Sequence, residues 1–241
     1  MKITIMTFNI HHGKGIDKRL DLERIADIIA KSDADIIGLN EVDKHFSKRS
    51  GYQDQINFLA ERLRMNHAFS PSLSKPSKDA PTERQYGNGL LTRFPIITVK
   101  NHLLSFGPKF HEGRSVLETV VQIGKKRLFI FVTHLSLNPL FHRKQTDFII
   151  ERMKQLDEPV IVLGDWNMNP NSRGWTRMAE KLGDSWNQAG AGQGFTYPSQ
   201  RPRKRLDYIF ASPCLHIVNT EVINLNPQAS DHLPVKSVMI L

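Results

Sequence analysis

The 241-residue sequence predicts an α+β protein in which two packed sheets carry helices on their outer sides. Three observations point there. Short apolar runs that read as strands outnumber the segments with helical spacing. Some of these runs alternate with helical segments, as in strand–helix–strand units, while others follow one another across tight turns. No shift of composition or linker divides the chain, so residues 1–241 are expected to form one domain.

Taken in order, Ile3 to Asn9 alternates apolar and polar residues and ends as a strand at Asn9. A turn rich in His and Gly follows (His11, His12, Gly13, Gly15), and both histidines are expected to be exposed there. Leu22, Ile25, Ala26, Ile28 and Ile29 recur at helical spacing, with Asp21 placed as the N-terminal cap. Ile36-Ile37-Gly38-Leu39 reads as a buried strand that ends at Asn40-Glu41. Ile56, Leu59, Ala60 and Leu63 mark a second helix over 53–63.

The Ser-, Pro- and Lys-rich segment from Pro71 to Pro81 reads as a mobile surface loop. Strands resume at Gly89 to Thr92 and Ile96 to Leu104. Val116 to Ile123 and Leu128 to Thr133, separated by Gly124-Lys125-Lys126, read as a hairpin that ends at His134. Phe141 to Leu156 is a third helix with Phe148, Ile149, Met153 and Leu156 on its apolar side. Val160 to Leu163 is a strand buried on both faces, and Gly164-Asp165-Trp166-Asn167 follows it directly. A short helix is expected around Trp175 to Leu182. Beyond it lie strands at Leu206 to Ala211, Ile217 to Leu225 and Val235 to Ile240, the last preceded by Ser230-Asp231-His232-Leu233-Pro234.

The formal charge of +9 favours an acidic partner: nucleic acid, a phosphorylated small molecule or an anionic lipid surface. Lys125-Lys126-Arg127 reads as a solvated loop; Arg201 to Arg205 leads straight into the strand that carries Asp207. The single cysteine, Cys214, excludes an internal disulfide framework and is expected to be buried or inert. The N-terminus lacks the pattern of a signal peptide, and no window is apolar enough to span a membrane, so a soluble cytoplasmic protein is expected. The glycines near 190 match neither a dinucleotide nor a Walker pattern.

The most informative regularity is where the polar residues fall. Asn9, Glu41, His134, Asp165, Asn167 and His232 each sit at or just beyond a strand end. One such residue is ordinarily a turn former or a structural histidine. Six of them converge, because the strand ends of a sandwich meet on one rim. With no Cys ligands and no HExxH pair, zinc-protease and thiolate sites are disfavoured. Carboxylates with amides suit Mg²⁺ or Mn²⁺, which take further oxygens from water and phosphate.

Seven motifs, in order, also carry a family resemblance. They are Thr7-Phe8-Asn9, Gly38-Leu39-Asn40-Glu41-Val42, Tyr86-Gly87-Asn88-Gly89-Leu90-Leu91-Thr92-Arg93, Thr133-His134-Leu135, Gly164-Asp165-Trp166-Asn167, Leu206-Asp207-Tyr208-Ile209 and Ser230-Asp231-His232-Leu233-Pro234. Together they resemble the endonuclease/exonuclease/phosphatase superfamily, which includes deoxyribonuclease I-like nucleases, abasic-site endonucleases, deadenylases, neutral sphingomyelinases and inositol-polyphosphate phosphatases.

The resemblance implies a four-layer α/β sandwich, two mixed sheets flanked by helices, and a phosphoesterase dependent on Mg²⁺ or Mn²⁺. It implies Glu41 as the main metal ligand, with Asn9 assisting and Asp231 contacting metal or water. His232, oriented by Asp207, would be the acid–base or phosphate-binding group. Asp165 would be the other candidate base, and Asn167 would orient water or phosphate. His134, Asn88 and Arg114 would stabilise the phosphoryl oxygens during in-line attack by water. Two positions depart from the family pattern: His11 stands where many nucleases carry an acid, and Trp166 replaces the commoner Phe. The favoured substrate is a phosphodiester in nucleic acid; the alternatives are a phospholipid or small phosphate ester, as in sphingomyelinases, and a non-catalytic binding module. No dedicated protein partner is expected.

Overall fold

The computed structural model describes residues 1–77, 82–104 and 113–241. The strands are Lys2–Asn9 (β1), Ile36–Lys44 (β2), Asn66–Lys75 (β3), Arg84–Thr92 (β4), Ile96–Leu103 (β5), Ser115–Ile123 (β6), Lys126–His134 (β7), Val160–Asp165 (β8), Gly183–Asp184 (β9), Asp207–Ala211 (β10), His216–Val222 (β11) and Val235–Ile240 (β12). The helices are Leu22–Ser32 (α1), Gln55–Leu63 (α2), Pro139–Met153 (α3), Arg173–Ala179 (α4) and Ser185–Ala189 (α5). One sheet runs β11-β12-β1-β2-β4-β3 and the other β5-β6-β7-β8-β10-β9.

Each sheet is mixed, with one parallel pair: β1 with β2, and β7 with β8. A parallel pair needs a crossover, and α1 and α3 supply the two. Asp21 caps α1 by accepting from the Arg24 amide, as the sequence predicts. Asn138 caps α3 ahead of Pro139 at its start.

The side-chain period of two then sorts each strand between layers. Ile3, Ile5, Ile130, Val132, Ile161, Leu163 and Ile209 share the core between the sheets. Met6, Phe8, Ile37 and Leu39 pack outward against α1 and α2. Phe131, Val162, Tyr208 and Phe210 do the same against α3 and α4. At Gly38 the facing sheet leaves no room for a side chain: a Cβ there would lie 1.8 Å from Leu163 Cδ1. The result is the four-layer sandwich that the resemblance implies.

Several sequence expectations need correction. Pro71 to Lys75 belongs to β3, not to a surface loop; residues 78–81 lie outside the described ones. Pro71 is tolerated because β3 is an edge strand and its pairing with β4 shifts between Pro71 and Leu73. Its lack of apolar alternation hid it. β11 ends at Val222 rather than Leu225, and α4 lies slightly ahead of its expected span. Both β9 and α5 went unforeseen, being too short to show a period. Cys214 is exposed.

Candidate active site

Along β1, inward residues run Ile3, Ile5, Thr7 and Asn9; along β8 they run Ile161, Leu163 and Asp165. Parity therefore aims Asn9 and Asp165 at each other across the two sheets, and Asn9 Nδ2 donates to Asp165 Oδ2 at 3.1 Å. The same parity brings His134 from β7 and Asp207 from β10 to this rim. In the parallel pairs Asn9 is level with Asn40, and His134 with Asp165. The C-terminal ends of parallel strands are where open α/β sheets bind ligands, and here two such ends face each other.

Glu41 reaches the rim by a different device. The β2–β4 register shifts between Leu39 and Val42, so Asn40 and Glu41 together oppose the single residue Asn88. Glu41 takes a left-handed backbone, φ 58°, and its Oε1 accepts from Asn9 Nδ2 at 3.1 Å. Burial pushes its carboxyl above the usual range and nearby Asp231 adds to this, while the Asn9 donor works the other way.

Asp165 Oδ2 is the point on which the site converges. Besides Asn9, His134 Nε2 lies 3.5 Å away and His232 Nε2 3.6 Å away. Oδ1 accepts the Asn167 backbone N–H at 2.9 Å. Gly164 sets the strand end: at φ 141° its Cα lies so close to β7 that a Cβ would meet the Thr133 carbonyl at 1.8 Å. Burial pushes the Asp165 carboxyl up to about 7, with the His232 charge opposing.

His232 Nδ1 and Asp207 Oδ2 are 2.8 Å apart in a buried pair. This contact fixes the ring with Nδ1–H toward the carboxylate and Nε2 toward Asp165. Burial disfavours the imidazolium, but the carboxylates of Asp207 and Asp165 outweigh it and raise His232 to about 10. The Tyr197 ring lies against His232, 4.9 Å between centroids. His134 is the opposite case: burial, then the charges of Arg114 and His232, hold it well below the usual imidazole value. Asn167 Nδ2 lies 3.1 Å from its Nε2 and 3.0 Å from the Leu135 carbonyl.

Arg114, Asn88 and His134 share one small cleft with Tyr86 and Ser115. Asn88 is buried, and its amide hydrogens go to the Ser115 carbonyl (2.9 Å) and hydroxyl (3.2 Å). That commitment suits a residue holding the cleft in shape. Asp231, beside His232, is half-buried.

Two residues outside the predicted set prove central. Asn40 donates to Asn88 Oδ1 (2.8 Å) and the Thr133 carbonyl (2.9 Å), and its Oδ1 accepts the Asp165 N–H (2.8 Å). It ties the sheets together directly under the site. Ser230 Oγ donates to the Asn9 carbonyl at 2.7 Å and accepts the His232 N–H at 3.3 Å. A signal for Asn40 existed in the sequence: it is a polar residue at an inward position of a buried strand.

Among the described residues, two groups of side chains offer metal-ligand atoms within 4.8 Å of one another: His11, His12 and Glu41, and Asp165, Asp207 and His232. Buried His12 Nδ1 and Asp207 Oδ1 have no hydrogen-bond partner among the described residues, as expected of atoms facing a cation or water. Oxygen and imidazole nitrogen donors fit a divalent ion. The expectation that both histidines are exposed is corrected, since His12 is buried and His11 half-buried. Burial and the nearby Arg49 charge lower His12 to about 4, leaving it a neutral imidazole.

A model of the Endonuclease/Exonuclease/phosphatase family matches residues 6–232. The uncharacterized protein YbhP of Escherichia coli (strain K12) is 25% identical over 244 residues, covering 97% of this chain and 94% of that protein. A solved endonuclease/exonuclease/phosphatase from Beutenbergia cavernae DSM 12333 superimposes with a TM-score of 0.80 at 25% identity, over 100% of this chain and 72% of that one. The mannosyl-6-phosphatase of Bacteroides thetaiotaomicron VPI-5482 superimposes with a TM-score of 0.82 over 99% of this chain and 100% of that one. At 19% identity this is a likeness of fold.

Proposed function

The chain belongs to the endonuclease/exonuclease/phosphatase family, and from that premise we propose that it is a divalent-metal-dependent hydrolase of phosphodiesters, with nucleic acid as the favoured substrate. The observation that carries this reading is the convergence of Asn9, His134 and His232 on one buried oxygen of Asp165, with Asp207 behind His232.

A divalent ion at Glu41 would supply Lewis-acid polarisation of a phosphate oxygen and neutralise the leaving oxygen. Asn9 braces Glu41 for that task. Asp165 takes the proton of the attacking water, which Asn167 and His134 orient. His232, held charged by Asp207, donates to a phosphoryl oxygen as negative charge grows there. Arg114, 3.5 Å from His134, adds a second cationic contact. Mg²⁺ and Mn²⁺ both suit the carboxylates.

Arg201, Arg203 and Lys204 support a polyanionic substrate, because their loop lies beside the site. Lys204 bridges by its backbone to Tyr197, the residue packed on His232. Arg205 does not contribute: it is buried on Asp184 at 3.0 Å and packs over Tyr208.

A phospholipid is the second reading. A cavity of about 710 Å³ opens beside Asn167, lined by Leu137, Pro139 and Met168 together with Arg143 and Arg173. Leu137 in its lining is 75% exposed. Hydrolysis of plasmid DNA, RNA, sphingomyelin vesicles and bis-p-nitrophenyl phosphate with added Mn²⁺ separates the readings. Nucleic acid should be the best polymeric substrate; cleavage of the lipid alone would overturn that preference.

A further inference from the structure

The turn after β1 is built around two histidines in an unusual backbone. His11 and His12 both have φ 46° and Gly13 has φ 74°, so three successive residues are left-handed. For residues with a Cβ this costs roughly 1–2 kcal/mol each, and the surroundings enforce it. The His11 N–H donates to Asn9 Oδ1 at 3.1 Å, and buried Gln55 donates from Nε2 to the His12 carbonyl at 2.7 Å. Gln55 Oε1 in turn accepts the Asp43 N–H at 3.0 Å, fixing the turn to the strand that carries Glu41.

His11 Nδ1 lies 3.0 Å from the Lys14 carbonyl. A carbonyl only accepts, so Nδ1 carries the hydrogen and Nε2 keeps its lone pair. A backbone carbonyl fixing one ring nitrogen is how proteins orient a metal-binding histidine. His12 packs edge-on against His11, 4.5 Å between centroids, and its buried Nδ1 has no hydrogen-bond partner among the described residues. One ring nitrogen from each histidine and a Glu41 oxygen lie within 4.8 Å of one another. One ion with bonds of about 2 Å can span such a set after small side-chain adjustments.

We infer that His11 and His12 join Glu41 as ligands, making this an imidazole–carboxylate site that prefers a transition-metal dication such as Mn²⁺ or Co²⁺ to Mg²⁺. Imidazole binds the first-row transition dications, Mn²⁺ the most weakly and Co²⁺ more tightly, whereas Mg²⁺ favours oxygen and dehydrates reluctantly. The inference rests on the metal dependence proposed above, yet it concerns binding and is read without substrate.

The test is metal titration of the stripped full chain by calorimetry, joined to pulsed electron paramagnetic resonance with bound Mn²⁺. The wild type should bind Mn²⁺ at least about tenfold more tightly than Mg²⁺ and show nitrogen coupling from coordinated imidazole. His11→Ala and His12→Ala should each weaken Mn²⁺ by roughly 10–100-fold, and the double variant should lose the coupling. His11→Asp, an oxygen ligand at the same place, should narrow the preference over Mg²⁺ and controls for a collapsed turn. Unchanged Mn²⁺ affinity in folded single variants, or unchanged coupling in the double variant, would overturn the inference. Metal-dependent hydrolysis without nitrogen coupling sinks this site alone. Nitrogen coupling without hydrolysis sinks the proposed activity alone.

Discussion

The proposed chemistry rests on side chains whose partners are fixed before any substrate arrives. Asp207 holds the ring of His232, Ser230 holds its backbone, and Asn40 holds the amide of Asp165. Asn40 is the most consequential of the supporting residues because it serves three groups and is fully buried. Replacing it with Ala leaves Asn88 Oδ1, the Thr133 carbonyl and the Asp165 N–H unmatched. A loss of roughly 2–4 kcal/mol is expected in urea unfolding, from buried polar groups costing about 1–3 kcal/mol each with partial relaxation. Turnover should fall as well, with kcat affected more than KM, since Asn40 positions Asp165. At this scale the sequence was informative about identity and silent about partnership. Asp165 and His232 stood out at strand ends, but nothing along the chain joins Asn40 to Asp165, 125 residues away.

At the scale of elements, the legible features were the period of two in β1 and the short apolar runs of β7, β8 and β10, each with a site residue at or beside one end. A bulge breaks that period, so the aim of Glu41 could not be read from β2. An edge strand needs only one good neighbour, and β3 escaped notice for that reason. The α3 crossover is pinned to β6 by a buried ion pair: Arg152 donates twice to Glu118, both at 2.7 Å, and His102 on β5 adds a third contact at 2.7 Å. Burial penalises the Glu118 carboxylate, but Arg152 and His102 outweigh this and hold it below the ordinary value. A lowered folded-state value stabilises the fold above the unfolded-state value and is lost as pH falls through the folded one. Glu118→Gln should therefore cost roughly 2–4 kcal/mol at pH 7. The gap to wild type should begin to close below the ordinary Glu value of about 4.3 and narrow further as pH falls. Urea unfolding at pH 7 and pH 3 reads this directly, and an equal gap at both would refute it.

For the whole molecule, the design is two similar halves. Each six-stranded sheet contributes one parallel pair, and the C-terminal ends of the pairs meet at the site. Substrate choice belongs to the loops around this shared core, which is why the seven motifs point to the family and stop short of the substrate. The excess of positive charge acts at the same scale. If nucleic acid is the substrate, replacing Arg201, Arg203 and Lys204 with Ala should raise KM for DNA. The triple change should also flatten the salt dependence of binding by up to about three in log–log slope, roughly one for each lost phosphate contact. Turnover of bis-p-nitrophenyl phosphate should be unaffected.

The most direct test of the hydrolytic site is the turnover of bis-p-nitrophenyl phosphate by His232→Ala and wild type under saturating Mn²⁺, with thermal melts of both. The ring lies within 3.6 Å of Asp165, and in the proposed reaction it would donate to the charge that grows on phosphorus-bound oxygen. A loss of about 10²–10⁴ in kcat is expected, with a cooperative melt retained. Undiminished turnover by a folded His232→Ala would contradict it.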